Sequence, residues 1–276
     1  MELICESGAT KSNWVFLNRN KVLSNIQLEG MNLTASPSSI SVLDAFNERN
    51  DLKPDIVHFY SAGIYGKNVQ ELLKNKFHAL LPGAEIYMYS DIIAASRAVS
   101  HGNTSIVSIL GTGSNSVLFD GEKIVHAMPS LGYILGDIGS GFHIGKLIVN
   151  AFYLGKMRPA DETFFSQHYI RDKSLFKKEI YESEKPNTEI ARFSYFLQSS
   201  SMVFRKEILE EAFDLFFQNL KAGLKNSNNY KLNFVGSIAS VFQEELIDIA
   251  NKYNYQIKNI VKDPLEGLIR YHQSII

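Results

Sequence analysis

The sequence predicts an α/β protein in which one pattern of strands and helices occurs twice. Short β-prone segments come in two groups of three, within residues 3–27 and 105–127, and turn residues separate them. Each group is followed by segments whose apolar residues recur at helical spacing, with further short apolar strands between them. A three-strand meander followed by alternating helix and strand is typical of a mixed sheet covered by helices, so this order indicates an architectural duplication.

The elements of the first half follow from local periodicity. Gly8 and the polar residues 18–20 mark the turns of the first meander. A helix is predicted where Ile40, Leu43 and Phe46 recur every three residues. A buried strand is predicted instead for the mostly apolar run at 56–60. The predicted strands of this half are 3–5, 14–17, 22–27, 56–60 and 86–89, and the predicted helices are 39–50, 69–81 and 92–100.

The second half repeats this order and adds longer helices. Its stripe of apolar residues every three or four positions predicts a long helix over 203–225, with Phe204, Ile208, Ala212, Phe216 and Leu220 on one side. Pro264 suits the first turn of a final helix over 264–271. The predicted strands are 105–110, 114–119, 124–127 and 232–235, and the other predicted helices are 140–154 and 239–252. The polar and least periodic segment, 155–185, is expected to be a peripheral insertion or lid.

The length of 276 residues suits one large domain or two medium ones. We expect residues 1–104, joined by the last helix at 264–276, to form an N-terminal lobe. Residues 105–263 are expected to form a C-terminal lobe. The chain shows no low-complexity segment and no flexible linker between the halves.

Charge and cysteine content exclude several classes of protein. Lys and Arg number 28 and Asp and Glu 29, a net charge of −1, so no sequence-wide charge favours nucleic acid or an acidic membrane. Cys5 is the single cysteine, which excludes an intramolecular disulfide and favours a reducing compartment. The seven histidines lack metal-ligand spacing. Because no signal peptide or spanning segment is found, we expect a cytoplasmic protein without a nucleic-acid or membrane partner.

Turn glycines that follow predicted strands are the first candidates for chemistry. The hairpin from Glu6 to Ser12 could present backbone N–H groups, hydroxyls and the Lys11 ammonium to a phosphate, and an ordinary hairpin with a solvated lysine explains it equally well. Gly111 and Gly113 enclose Thr112 after another strand. Two glycines at that point favour a ligand-binding loop over a plain tight turn.

Two further turns and one carboxylate complete the candidates. Four glycines between 132 and 141 surround Asp137, which could cap a helix, hold a metal or bind a substrate hydroxyl. Gly236 and Ser237 end a strand and open a helix, a common place for a nucleotide. Asp91 stands between a strand and a helix, where it is either a helix cap, which local preference favours, or a general base.

Together these turns resemble those of the N-acetylglucosamine kinase and BadF/BadG-type ATPase family, in the actin/hexokinase superfamily. The hairpin Gly8, Thr10, Lys11, Ser12 resembles its phosphate-1 motif, and residues 111–114 resemble its phosphate-2 motif. The run 132–141 resembles its glycine-rich segment, Gly236 and Ser237 its adenosine-side turn, and residues 264–268 its closing helix. The resemblance covers nearly the whole chain and implies two ribonuclease H-like lobes around an ATP/sugar cleft.

The resemblance implies an ATP- and Mg²⁺-dependent amino-sugar kinase that converts N-acetylglucosamine to its 6-phosphate. Asp91 corresponds to the general base, and Glu6 to the residue that holds Mg²⁺, directly or through water. The implied ATP-binding residues are Gly8, Thr10, Lys11, Ser12, Gly111, Thr112, Gly113, Ser114, Gly236 and Ser237. The implied sugar-binding residues are Asn32, Asp91, Thr112, Gly113, Gly132 and Asp137. A homodimer is common in the family and is expected on that basis.

Three positions depart from the family pattern. Glu6 replaces an aspartate, Ile138 replaces a glutamate, and Leu131 replaces a frequent tryptophan. Glu6 and Ile138 motivate one alternative, an ATP- and sugar-binding sensor without turnover. N-acetylmuramic acid and glucosamine are alternative acceptors on the same scaffold. An activator of a radical dehydratase is disfavoured, because it would need two cysteines per chain and Cys5 stands alone.

Overall fold

The chain folds into two compact units. The computed structural model describes residues 1–8, 11–31, 37–48, 52–64, 66–170 and 172–275. The first unit comprises Met1–Asn103, Gly121–Lys123 and Asp263–Ile276, and the second comprises Thr104–Asp120 and Ile124–Lys262. The last helix therefore belongs to the first unit.

A mixed sheet forms the centre of the first unit. Its strands, among the described residues, are β1 (Glu2–Ser7), β2 (Lys11–Asn18), β3 (Lys21–Glu29), β4 (Ile56–Ser61) and β5 (Glu85–Ser90). Their order is β3-β2-β1-β4-β5, with β1, β2 and β3 antiparallel and β1, β4 and β5 parallel. The inner strands β1 and β2 are buried along most of their length, whereas β3 alternates between exposed and half-buried residues, as an edge strand does.

The second unit contains a sheet of the same strand order. Its strands are β6 (Ser105–Leu110), β7 (Ser114–Phe119), β8 (Ile124–Ala127), β9 (Leu232–Val235) and β10 (Ile257–Val261). The order is β10-β9-β6-β7-β8, with an antiparallel meander and a parallel β6-β9-β10 half. The duplication expected from the order of elements is therefore present in the sheets.

The helices are described next, in chain order. They are α1 (Val42–Glu48), α2 (Lys67–Leu80), α3 (Asp91–Ser100), α4 (Gly132–Leu135), α5 (Gly141–Tyr153), α6 (Pro159–His168), α7 (Lys173–Glu182), α8 (Pro186–Arg192), α9 (Met202–Gly223), α10 (Ser237–Val241), α11 (Gln243–Lys252) and α12 (Leu265–Ser274). Short 3-10 helices span Pro37–Ser41, Phe193–Gln198 and Ser227–Asn229. None of the helices in the described ranges combines the length and apolar character needed to cross a bilayer.

The two faces of the first sheet differ in chemistry. One face is apolar and packs against α1 and α2, where Trp14 stacks on Phe46 with ring centroids 4.4 Å apart. The other face carries polar and aromatic side chains, and α3 and α12 lie against it. The contact between these helices is close, because a Cβ at Gly267 would collide with the backbone carbonyl of Ala98.

The core of the second unit contains many aromatic side chains among its aliphatic ones. The stripe predicted for residues 203–225 is confirmed, since Phe204, Phe216 and Leu220 of α9 are buried in this core. Phe165 of α6 is fully buried as well.

Several elements differ from the sequence prediction. Strand β10 was missed, and the predicted helix at 239–252 is divided into α10 and α11 at the buried Phe242. The segment 155–185 contains α6 and α7, and α6 is anchored in the core rather than peripheral. The buried Asp161 carboxylate accepts hydrogen bonds from the Ser201 N–H (2.7 Å) and the Ser201 hydroxyl (2.6 Å).

Candidate active site

The carboxyl ends of β1, β4 and β5 bring the candidate residues of the first unit to one edge. The strand register places Ser7, Ser61 and Ser90 side by side, because these three strands run parallel. Glu6 lies one residue before this row and Asp91 one residue after it. This edge, where parallel strands end, is the usual location of ligand sites in α/β sheets.

Glu6 is a buried carboxylate with few polar contacts. Asn13 Nδ2 donates to Glu6 Oε2 (3.3 Å), and Gln27 Nε2 in turn donates to Asn13 Oδ1 (3.1 Å). Burial raises the pKa of Glu6 to about 7, and the carboxylates of Asp263 and Asp91 act in the same direction. A bound cation would offset this cost, since a nearby positive charge favours the ionised carboxylate.

Asp91 begins α3 directly after β5. The N-cap position belongs to Ser90, whose side chain makes no capping hydrogen bond. The Asp91 Oδ1 atom accepts a hydrogen bond from the Ile92 N–H at 2.9 Å. One carboxylate oxygen therefore accepts a hydrogen bond within the first turn of the helix, and the side chain stays partly exposed at the sheet edge.

The hairpin between β1 and β2 presents a lysine beside this edge. The Gly8 N–H donates to the Lys11 carbonyl (3.0 Å), and the half-exposed Lys11 ammonium lies 3.7 Å from the Asp263 carboxylate. The Ser12 hydroxyl is buried, where it donates to the Glu29 carbonyl (2.6 Å) and accepts from Trp14 Nε1 (2.9 Å). Ser12 therefore fixes the hairpin with its side chain. Thr10 lies outside the described residues.

Two serines of the same edge hold the segment that leads to Asn32. The Met31 N–H donates to Ser7 Oγ (2.7 Å), and the Ser61 hydroxyl donates to the Met31 carbonyl (3.0 Å). Met31 is fully buried. Asn32, predicted to bind the sugar, lies outside the described residues.

In the second unit, residues 111–114 form a turn that is fastened to the start of α5. The Gly111 N–H donates to the Gly113 carbonyl (3.0 Å). The Gly141 N–H donates to the Gly111 carbonyl (2.8 Å), and the Phe142 N–H donates to the Thr112 carbonyl (3.1 Å). The first amides of α5 thus find acceptors in this turn, which fixes its position.

Asp137 packs directly on this turn. Its Oδ1 accepts a hydrogen bond from the Ser114 N–H (3.1 Å), and a Cβ at Gly113 would lie 2.7 Å from its Oδ2. Burial raises the pKa of Asp137, and the Ser114 N–H opposes that effect. Asp137 has φ 53°, a left-handed conformation that aspartate tolerates better than most residues. Asp137 is not the cap of α5, because Ser140 occupies that position and accepts from the His143 N–H.

A cavity of about 300 Å³ opens beside Asp137. Ser114, Leu131, Asp137, Ile138 and Phe216 are among its lining residues. The Ser114 hydroxyl donates to the Ile138 carbonyl at 2.9 Å. Gly132, with φ 68°, begins the short helix α4, which follows Leu131. Both departures from the family pattern in this unit, Leu131 and Ile138, therefore face the same cavity.

Gly236 and Ser237 lie at the carboxyl end of β9, next to the end of β6. Gly236 has φ 131°, and a Cβ there would collide with the Leu110 carbonyl, so only glycine fits. The Gly236 N–H donates to the Val261 carbonyl at 2.9 Å. Ser237 Oγ accepts from the Tyr195 hydroxyl at 3.3 Å. In this unit the structure brings the 111–114 turn, Asp137 and Gly236 together at one sheet edge.

Sequence reasoning missed two neighbours of Glu6. Asn13 contacts Glu6 across the first hairpin, and Asp263 contributes a second carboxylate from the start of the last helix. Asp263 stands directly before Pro264 and accepts from the Leu265 N–H at 3.3 Å. An acidic residue before a helix-opening proline is the sequence signal that could have pointed to it.

Known proteins with similar sequence and structure include sugar kinases. No protein-family model matches the chain. An N-acetyl-D-glucosamine kinase of Dictyostelium discoideum is 24% identical over 202 residues, and the aligned region covers 65% of this chain and 63% of that protein. The chain thus spans less than two thirds of that relative's length.

Solved structures match over the full length. A proposed N-acetylglucosamine kinase from Porphyromonas gingivalis has a TM-score of 0.86 and 30% identity, and the match covers 99% of both chains. A ROK hexokinase from Thermus thermophilus has a TM-score of 0.59 and 12% identity, with 99% of each chain covered. The second likeness concerns the fold alone. The predicted α/β fold class of actin/hexokinase type is confirmed by these matches.

Proposed function

The chain belongs to the N-acetylglucosamine kinase family, and from this premise we propose that it transfers the γ-phosphoryl group of ATP to a hydroxyl of an amino sugar. We propose N-acetylglucosamine as the acceptor and its 6-phosphate as the product. One observation carries the proposal. The carboxyl edge of the first sheet holds a buried carboxylate, Glu6, and a second carboxylate, Asp91, which acts on it electrostatically.

Asp91 is proposed as the general base. It would accept the proton of the sugar hydroxyl as that oxygen attacks the γ-phosphorus and ADP leaves. Its position at the start of α3 keeps one oxygen on the Ile92 N–H, which fixes the orientation of the carboxylate. Phosphoryl transfer depends mainly on positioning and on charge stabilisation, so an oriented base at a fixed sheet edge suits the reaction.

Glu6 is proposed to hold Mg²⁺, directly or through water. The fit rests on its burial and on its raised pKa, because a buried carboxylate with one amide partner is stabilised by a cation. When bound, the ion would neutralise charge on the phosphates of ATP. Asp263 adds negative charge beside Glu6, and Lys11 supplies a positive group for a phosphate.

The remaining predicted residues receive the roles that the family resemblance implies, and for Thr10 and Asn32, which lie outside the described residues, that resemblance is the only support. In the first unit the Gly8 hairpin, with Thr10 and Lys11, is assigned to phosphate, and Ser12 is assigned to fixing that hairpin. In the second unit, ATP is assigned to residues 111–114 and to Gly236 and Ser237. The sugar is assigned to Asn32, Thr112, Gly113, Gly132 and Asp137. The Asp137 Oδ1 atom is committed to the Ser114 N–H, so its Oδ2 is the candidate for a sugar hydroxyl.

The test is release of ADP from Mg·ATP in the presence of N-acetylglucosamine, N-acetylmuramic acid, glucosamine or glucose. We expect turnover with N-acetylglucosamine, and we expect Asp91→Asn to lower kcat by at least ~100-fold while the affinity for ATP stays unchanged. Asp248→Asn, an exposed substitution on α11, is the matched control and should keep full activity.

Each other result has a defined meaning. Preference for N-acetylmuramic acid or glucosamine would correct the acceptor and keep the reaction. Full activity of Asp91→Asn would exclude Asp91 as the general base. ATP binding without turnover on any sugar would contradict the kinase activity and favour an ATP- and sugar-binding sensor.

A further inference from the structure

Three potential metal ligands meet at the end of β1 opposite to Glu6. Glu2 is the first residue of β1, His58 lies on β4 and His272 on α12, and each offers one ligand atom within 4.8 Å of the others. Glu2 Oε2 lies 3.4 Å from His58 Nε2 and 3.5 Å from His272 Nδ1. Glu6 lies four residues after Glu2 along β1, a distance of about 13 Å, so this cluster is distinct from the proposed magnesium site.

The spacing of these atoms fits a small divalent ion. Zinc binds imidazole nitrogen and carboxylate oxygen at about 2.0–2.2 Å, and two ligands of a tetrahedral ion at that distance are about 3.3–3.6 Å apart. The two measured separations from Glu2 Oε2 already have this length. For these two pairs a metal would be bound with little movement of the side chains, and the ligand atoms of the two imidazoles lie within 4.8 Å of each other.

His272 is buried and Glu2 and His58 are half-buried, and one polar atom of each has no partner within the described part of the chain. The side chains of Glu2, His58 and His272 are 18%, 12% and 1% exposed. Glu2 Oε2, His58 Nδ1 and His272 Nδ1 have no hydrogen-bond partner among the residues that the structure describes. A buried polar group that is left unpaired destabilises the fold, and a bound ion would offset this cost for the ligating atoms.

The surroundings keep both imidazoles in the form that binds metals. Burial lowers the pKa of His58 to about 4 and that of His272 to about 3, and the Arg97 guanidinium acts in the same direction on both. Arg97 itself is engaged, since its Nη1 donates to the Tyr60 hydroxyl (2.7 Å) and its guanidinium lies over the Tyr89 ring.

Tyr60 supplies, for His272, the outer contact that orients metal-binding histidines. His272 Nε2 lies 2.9 Å from the Tyr60 hydroxyl oxygen. When Nε2–H donates to that oxygen, the lone pair of Nδ1 faces Glu2. A hydrogen bond from the second ring nitrogen orients most histidine ligands in this way.

We propose that Glu2, His58 and His272 bind a divalent transition-metal ion of the zinc class, which fastens α12 to β1 and β4. Two imidazoles and one carboxylate suit zinc, cobalt or nickel, whereas magnesium prefers oxygen ligands only. The ligands come from distant parts of the sequence, so histidine spacing could not reveal them. The role is structural, because the ion would join the last helix to the first strand.

Zinc binding to the untagged protein tests this proposal. The protein is stripped with a chelator, and the affinity and stoichiometry for Zn²⁺ are measured by calorimetry, with metal content measured by atomic emission. We expect one Zn²⁺ per chain and a rise in melting temperature on binding. Co²⁺ should give the visible absorption of a four-coordinate site.

Matched variants locate the site. His58→Gln and Glu2→Gln should each weaken Zn²⁺ binding by at least ~10-fold and abolish the cobalt spectrum. His126→Gln, an exposed substitution on β8, and Glu6→Gln should leave both unchanged. The two ligand variants keep the fully buried His272, so they are expected to fold. Absence of stoichiometric zinc, or zinc binding that persists in both ligand variants, would overturn the proposal.

Discussion

The substitution Glu6→Gln should change the pH dependence of stability in a defined direction. Burial raises the pKa of Glu6 from 4.5 to about 7, so the folded state holds this proton more tightly than the unfolded chain does. The stabilising contribution is therefore fully present below about pH 4.5 and is lost as the pH rises through 7. At ~1.4 kcal/mol per pH unit, the shift corresponds to a loss of about 3 kcal/mol.

Glutamine keeps the acceptor for Asn13 Nδ2 and removes the charge. As the pH rises from 5 to 8.5, the free energy of unfolding of Glu6→Gln should increase by about 2–3 kcal/mol relative to that of the parent protein. Urea unfolding at both pH values, without Mg²⁺, measures this difference. Glu29→Gln, an exposed carboxylate on β3, is the control and should show no such change.

Magnesium adds a second readout to the same pair of proteins. If Glu6 binds the ion, millimolar Mg²⁺ at pH 8.5 should stabilise the parent protein and leave Glu6→Gln unaffected. A difference between the two proteins that is the same at pH 5 and pH 8.5 would refute the argument that burial governs the Glu6 carboxyl.

Three further outcomes are expected. Lys11→Gln should raise the KM for ATP about tenfold or more, because a charged hydrogen bond to phosphate is lost. The melting temperature of this variant should barely change, since the half-exposed ion pair with Asp263 contributes less than ~1 kcal/mol. An unchanged KM for ATP would exclude the phosphate-binding role of Lys11. Gly113→Ala should cost about 1–3 kcal/mol in thermal unfolding through overlap with Asp137, whereas Gly111→Ala, with open space around its Cβ, serves as the mild control. Gly236→Ala should cost at least as much, because positive φ and the collision with the Leu110 carbonyl act together, and a stable variant would contradict that geometry.

Most strands could be predicted because they are short apolar runs between turn residues. β6, β7, β8 and β9 have the predicted bounds. β10 escaped because Lys258 and Asn259 interrupt its apolar residues, and its pairing with β9 contains an irregularity after Ile257. The helices α6 and α7 were not predicted for a different reason. α7 buries no residue, and α6 is held by two buried residues, Asp161 and Phe165, which do not form an apolar periodic pattern.

The candidate site could be predicted as far as it depends on local turns. Glycine-bearing turns at strand ends could be assigned from the sequence to the carboxyl edge of each sheet, because that edge follows from strand direction alone. Contacts between distant segments could not be read in this way. The commitment of the Ser12 hydroxyl to Glu29 and Trp14 and the packing of Asp137 on Gly113 depend on tertiary structure. Burial, which sets the pKa of Glu6, is likewise invisible in a linear sequence.

The discontinuity of the first unit sets an order of events during synthesis. β1 to β5 leave the ribosome early, yet α12, which lies against the His58 and Tyr60 face, follows roughly 140 residues after the Gly121–Lys123 segment. At ~5–20 residues per second this interval lasts roughly 7–28 s, during which the second unit is completed first. The nascent first unit therefore waits with one sheet face covered by α3 alone. A chain released before residue 264 would carry a finished second unit and an unfinished first one, and chaperones or proteases would recognise it by that partly open face.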